Sequence, residues 1–107
     1  MTTFEEYQAL ATQVSLSLRN NRDRIDFPVM GLQGDAGRIG SLLAAASASG
    51  TFVLTDEQKR ELQDRLADML WYIALVCRET GASMQAVAEH GTAQLQARLK
   101  ELDPDQR

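Results

Sequence analysis

The sequence predicts an all-α fold of four helices that completes its apolar core by assembling into an oligomer. Three observations carry this. Apolar residues recur at three- and four-residue steps through the long segments, the spacing of one helix face. Capping-box pairs, Thr3 with Glu6 and Thr55 with Gln58, stand at the starts of two of those segments. The longest segment is apolar around much of its circumference, which marks a helix covered on more than one side.

The first helix is expected over about 3–22. Phe4, Tyr7, Ala11, Val14 and Leu18 share one face, and the stripe fades in the polar run Arg19-Asn20-Asn21-Arg22-Asp23-Arg24. Phe27-Pro28 opens a second helix over about 28–48, because proline suits a first turn whose N–H groups have no partner anyway. Gly31, Gly34, Gly37 and Gly40 fall inside it. Each costs an exposed helix about 1 kcal/mol relative to alanine, so the pattern predicts close approach by another helix or by a ligand.

The third helix runs over about 56–80, from the Thr55 cap to Gly81, roughly 37 Å long at 1.5 Å per residue. Leu62, Leu66, Met69, Ile73 and Val76 form one stripe, and Leu70, Trp71, Ala74, Leu75 and Cys77 broaden it. Ser83 caps a fourth helix over about 83–102 that carries Met84, Val87, Ala88, Leu95, Leu99 and Leu102, followed by a charged tail, 103–107. Four helices of this size do not surround the third within one protomer, so a homodimer or homotetramer is expected.

At 107 residues, 44% hydrophobic and 24% charged, the chain fits one domain, 1–107, with enough apolar content to fold. Its 15 acidic and 11 basic residues give a net charge of −4 without a basic run, which argues against binding a nucleic-acid polymer. No apolar run reaches the roughly 18 residues of a membrane span, and the start Met1-Thr2-Thr3-Phe4-Glu5-Glu6 does not read as a signal peptide. The expected location is the cytoplasm, with no membrane partner. Cys77, the single cysteine, reads as a small buried hydrophobe, and His90, the single histidine, as a surface or interface residue.

Two pairs of charged residues lie three apart on helix faces: Asp35 with Arg38, and Arg65 with Asp68. The segments around them, Gly31-Leu32-Gln33-Gly34-Asp35-Ala36-Gly37-Arg38 and Leu66-Ala67-Asp68-Met69-Leu70-Trp71-Tyr72, resemble the MazG-type all-α nucleoside triphosphate pyrophosphohydrolases. The resemblance extends from Phe4-Glu5-Glu6-Tyr7-Gln8 to Val87-Ala88-Glu89. It implies a MazG-like four-helix bundle that hydrolyses a nucleoside triphosphate to the monophosphate and pyrophosphate. In that family, acid pairs on the second and third helices hold Mg²⁺, which wants hard oxygen ligands and activates water for attack on the triphosphate.

Mapped onto this chain, the family's acids fall on Asp35, Arg38, Arg65 and Asp68, and its downstream asparagine and lysine on Gly91 and Gln94. A guanidinium is always protonated and offers no lone pair to a metal. The four side chains sum to zero charge, so each arginine is expected to pair with an aspartate across the helix interface, with no metal bound or only weak binding. Three functions stay open: a homologue with lost or weak Mg²⁺-dependent catalysis and residual nucleotide contact; a non-catalytic oligomeric scaffold; and an active enzyme using a shifted set, Asp35, Glu61, Asp64 and Asp68. Nucleotide contact would fall to Arg38 and Arg65, which can grip phosphate, and to Trp71 and Tyr72. Those two aromatic residues point about 100° apart and are expected to serve different surfaces, mainly in packing.

Overall fold

The computed structural model of the protein describes residues 2–18, 25–48, 50 and 53–102. They form four helices, α1 (Phe4–Leu18), α2 (Asp26–Ala48), α3 (Asp56–Thr80) and α4 (Met84–Leu102), with no strand among the described residues. Both capping boxes form. Thr3 Oγ1 accepts from the Glu6 N–H at 3.1 Å while Glu6 Oε1 accepts from the Thr3 N–H at 2.9 Å. Thr55 and Gln58 repeat the exchange at 3.1 and 2.8 Å. The α3 helix stops at Gly81, whose φ of 75° is the left-handed conformation that suits glycine. Ser83 Oγ caps α4 by accepting from the Ala86 N–H at 3.2 Å.

Two boundaries differ from expectation. The α2 helix starts at Asp26, two residues early, so Pro28 stands third in the helix, still in the turn where its missing N–H has no partner to lose, and it is fully buried. The fourth helix begins at Met84, with Ser83 as its cap rather than its first residue. The expected continuation of the first helix over 19–22 and the tail 103–107 lie outside the described residues.

The central element is α3, which touches each of the other three helices, whereas α2 touches α3 alone among the described elements. Both α1 and α2 run antiparallel to α3. On one side Gly31 approaches Tyr72 and Asp35 approaches Arg65; on the other, Gln8 reaches Ala82 while Val14 lies by Ala67 and Asp68. Gln8 also fixes the α3–α4 turn, since its amide donates to the Ala82 carbonyl at 3.1 Å and its carbonyl accepts from the Met84 N–H at 3.0 Å.

A small core forms where α1, α3 and α4 meet: Ala11, Ala74, Cys77 and Met84 are buried, with Tyr7, Leu70 and Trp71 against them. Cys77 is the buried hydrophobe its neighbours suggested. Outside this core much apolar surface is bare, including Leu10, Val14, Leu66, Leu95, Leu99 and Leu102. The accessible surface is 8131 Å², against roughly 5,900 Å² for a compact monomer of 11.8 kDa. The radius of gyration of 17.3 Å likewise exceeds the roughly 13 Å of a compact domain of this length. No helix among the described residues is long and apolar enough to cross a membrane.

Candidate functional site

The α2–α3 contact brings three of the four motif-equivalent residues together. Asp35 is 2% exposed, the one buried charged residue among those described. Its Oδ1 accepts from Arg38 Nη1 at 3.2 Å, one helical turn along α2, and lies 3.6 Å from Arg65 Nη1 on α3. The Arg65 side chain is half as exposed as that of Arg38, 32% against 63%, so Arg65 is the interior partner and Arg38 the rim partner. Asp35 Oδ2 and Arg65 Nε are buried without a hydrogen-bond partner, which leaves the pair joined through a single carboxylate oxygen rather than a bidentate fork.

Asp68 departs from the expected reciprocal pairing. Arg38 turns to Asp35 on its own helix, where the three-residue step already places the two side chains together, and Asp68 forms no ion pair among the described residues. Asp68 faces the α1 side instead, in a groove with Tyr7, Leu10, Ala11, Val14, Ala67 and Trp71. Its charge acts there on Tyr7, whose hydroxyl pKa is raised by burial first and by Asp68 second.

This donor set does not suit Mg²⁺. One carboxylate faces two guanidinium cations, and its shared oxygen is already engaged by both, whereas a divalent ion needs several free oxygen ligands. The shifted set does not converge either. Glu61 and Asp64 are exposed on α3, and no three His, Cys, Asp or Glu side chains gather at one point among the described residues.

Beside Asp35 a cleft of about 470 Å³ is lined by Asp26, Phe27, Met30, Gly31, Arg38 and Tyr72. Phe27 and Tyr72 in its lining belong to a three-ring cluster completed by Trp71. Phe27 meets Trp71 and Tyr72 edge-on, with centroids 5.8 and 5.5 Å apart, and Trp71 stacks on Tyr72 at 5.4 Å. Despite that stacking the two rings serve different surfaces, as their 100° separation implies: Tyr72 lines this cleft and Trp71 the α1 groove. The Tyr72 hydroxyl pKa is raised, by burial first and then by Asp35 and Asp68, with Arg38 and Arg65 pulling the other way.

Gly31 explains how α2 comes this close. A Cβ there would stand 2.6 Å from the Tyr72 ring, so only glycine admits the present contact. The same explanation does not extend along the helix, because Gly37 and Gly40 have open space where a Cβ would project. Phe27, Met30 and Asp26 were not among the expected site residues. The signal was present, since Phe27, Gly31, Gly34 and Arg38 follow one another at four- and three-residue steps on the face that carries Asp35. Gly91 and Gln94 lie on α4, which makes no contact with α2 among the described residues.

No family model matches the chain, and no solved structure matches it. The curated "Gene 37 protein" of Mycobacterium phage L5 is similar to it, 28% identical over 74 residues. The match covers 69% of this chain and 65% of that protein, so it spans just under two thirds of the relative's length.

Proposed function

We propose that this protein is a cytoplasmic, homo-oligomeric MazG-like homologue in which an arginine-bracketed aspartate replaces the Mg²⁺ centre, so that nucleotide binding persists without efficient hydrolysis. The observation that carries the reading is the engagement of one buried Asp35 oxygen by both Arg38 and Arg65. Two cations at the positions where the family resemblance implies two acids supply locally the charge compensation that bound ions would give. The cleft beside them has the size of a small-molecule site, with an aromatic wall for a base and the Arg38 guanidinium at its rim for phosphate.

The test uses the single tryptophan, Trp71, which stacks on Tyr72 of the cleft lining. Titrating nucleoside triphosphates should change its fluorescence, with weaker binding in Arg38→Ala, while pyrophosphate release in Mg²⁺ stays at background. Pyrophosphate release at an enzymatic rate would overturn the reading.

A second reading, an oligomeric scaffold that binds no nucleotide, is favoured by the bare apolar surface and the 8131 Å² accessible area. A thermal-shift series separates the two, because only a ligand of the folded state raises the melting temperature.

A further inference from the structure

The fourth helix divides into two unlike halves. Its first turns are anchored by buried Met84 and by the Gln8 hydrogen bond. From Thr92 to Leu102 every residue is exposed, an arm of roughly 16 Å at 1.5 Å per residue. The arm carries an apolar stripe at four- and three-residue steps, Leu95, Leu99 and Leu102, exposed by 65, 62 and 83%. Arg98, three residues after Leu95, lies at the edge of that stripe and makes no ion pair among the described residues.

A complementary surface exists on the same chain. The α1–α3 groove encloses about 330 Å³ and is mainly apolar, with half-exposed Leu10 and Val14 on its α1 side. It contains one charged side chain, Asp68, which forms no ion pair among the described residues. An apolar groove with one acid and an apolar stripe edged by one base match in character and in charge.

We infer that the 92–102 arm of α4 docks in the α1–α3 groove of a second copy of this chain, seating Leu95 and Leu99 against Leu10 and Val14 and bringing Arg98 to Asp68. The inference deepens the oligomer in the proposed function and rests on that part of it. Two reciprocal arms, one from each copy, use the same patches twice, as closed two-fold symmetry requires.

The full chain is tested by sedimentation and by cross-linking. Leu95→Asp/Leu99→Asp should sediment as a folded monomer, with helical circular dichroism kept. Asp68→Arg and Arg98→Glu should each weaken association at least tenfold, and the two combined should recover most of it. Mixed Leu10→Cys and Leu99→Cys proteins, each in a Cys77→Ala background, should form a disulfide between chains under mild oxidation. An oligomer that persists in Leu95→Asp/Leu99→Asp and yields no such disulfide overturns this seam while leaving the oligomer itself standing. A natural protein that sediments as a monomer overturns both, whereas a Leu10→Cys/Leu99→Cys chain that closes its disulfide within one monomer overturns this seam alone.

Discussion

Arg65 reaches across from α3 to Asp35 on α2, Nη1 to Oδ1 at 3.6 Å, and is the cross-helix ion pair of the described residues. Asp35 is almost fully buried, so its charge is tolerated only while a cation stands against it. Such a pair need not be worth more than an apolar contact, but removing one member strands the other. Arg65→Ala should therefore destabilise the protein by about 2 kcal/mol, below the range for a fully buried pair because Arg65 is partly solvated and Arg38 remains. Arg60→Ala, on the exposed side of α3, should fall within about 0.5 kcal/mol of the natural protein. Thermal melts of the two variants check this, and equal melting temperatures would count against the pair.

The glycines of α2 predict opposite outcomes for the same substitution. Gly31→Ala forces a methyl group to within 2.6 Å of the Tyr72 ring, so either that ring, which packs on Phe27 and Trp71, or α2 must shift. The expected cost is about 1–3 kcal/mol of overpacking. Gly37→Ala meets open space and should gain up to about 1 kcal/mol in helix propensity. Denaturant midpoints of the two variants, measured side by side, should move in opposite directions.

The two tyrosines, Tyr7 and Tyr72, are the only ones in the chain, so each can be titrated alone in the Phe variant of the other. Both should ionise above the ordinary tyrosine value, by ultraviolet absorbance, because burial and nearby aspartates disfavour the phenolate. A raised folded-state pKa means that the folded protein binds the proton more tightly. The associated stability is whole below the unfolded value of about 10 and is lost as the pH rises through the folded value. Arg65→Gln should push Tyr72 further up, since it removes a cation that favours the phenolate, and should leave Tyr7 where it was.

Much of this architecture is legible in the residues themselves. The Thr3/Glu6 and Thr55/Gln58 capping boxes, Gly81 as a stop and Ser83 as a cap are local chemistry, written within four residues of where they act. The exposed stripes of α3 and α4 follow the same logic, because periodicity reports which face is apolar. It does not report what covers that face. The site was legible in part. Helical spacing placed Asp35 and Arg38 together and antiparallel packing brought in Arg65, but Asp68, one turn from Arg65 on the same helix, borders the α1 groove and pairs with neither arginine. The Phe27–Trp71–Tyr72 cluster depends on a tertiary contact between residues more than forty apart, which no local pattern encodes.

The proposed replacement of bound ions by arginines is tested most directly by calorimetric titration of Mg²⁺ and Mn²⁺ into metal-stripped protein, with Arg38→Glu/Arg65→Glu alongside. The substitution would surround Asp35 with carboxylates in place of the two guanidinium groups now beside it. The natural protein should give no heat of binding, and the double variant should bind saturably. Tight, saturable Mg²⁺ binding by the natural protein would contradict that proposal.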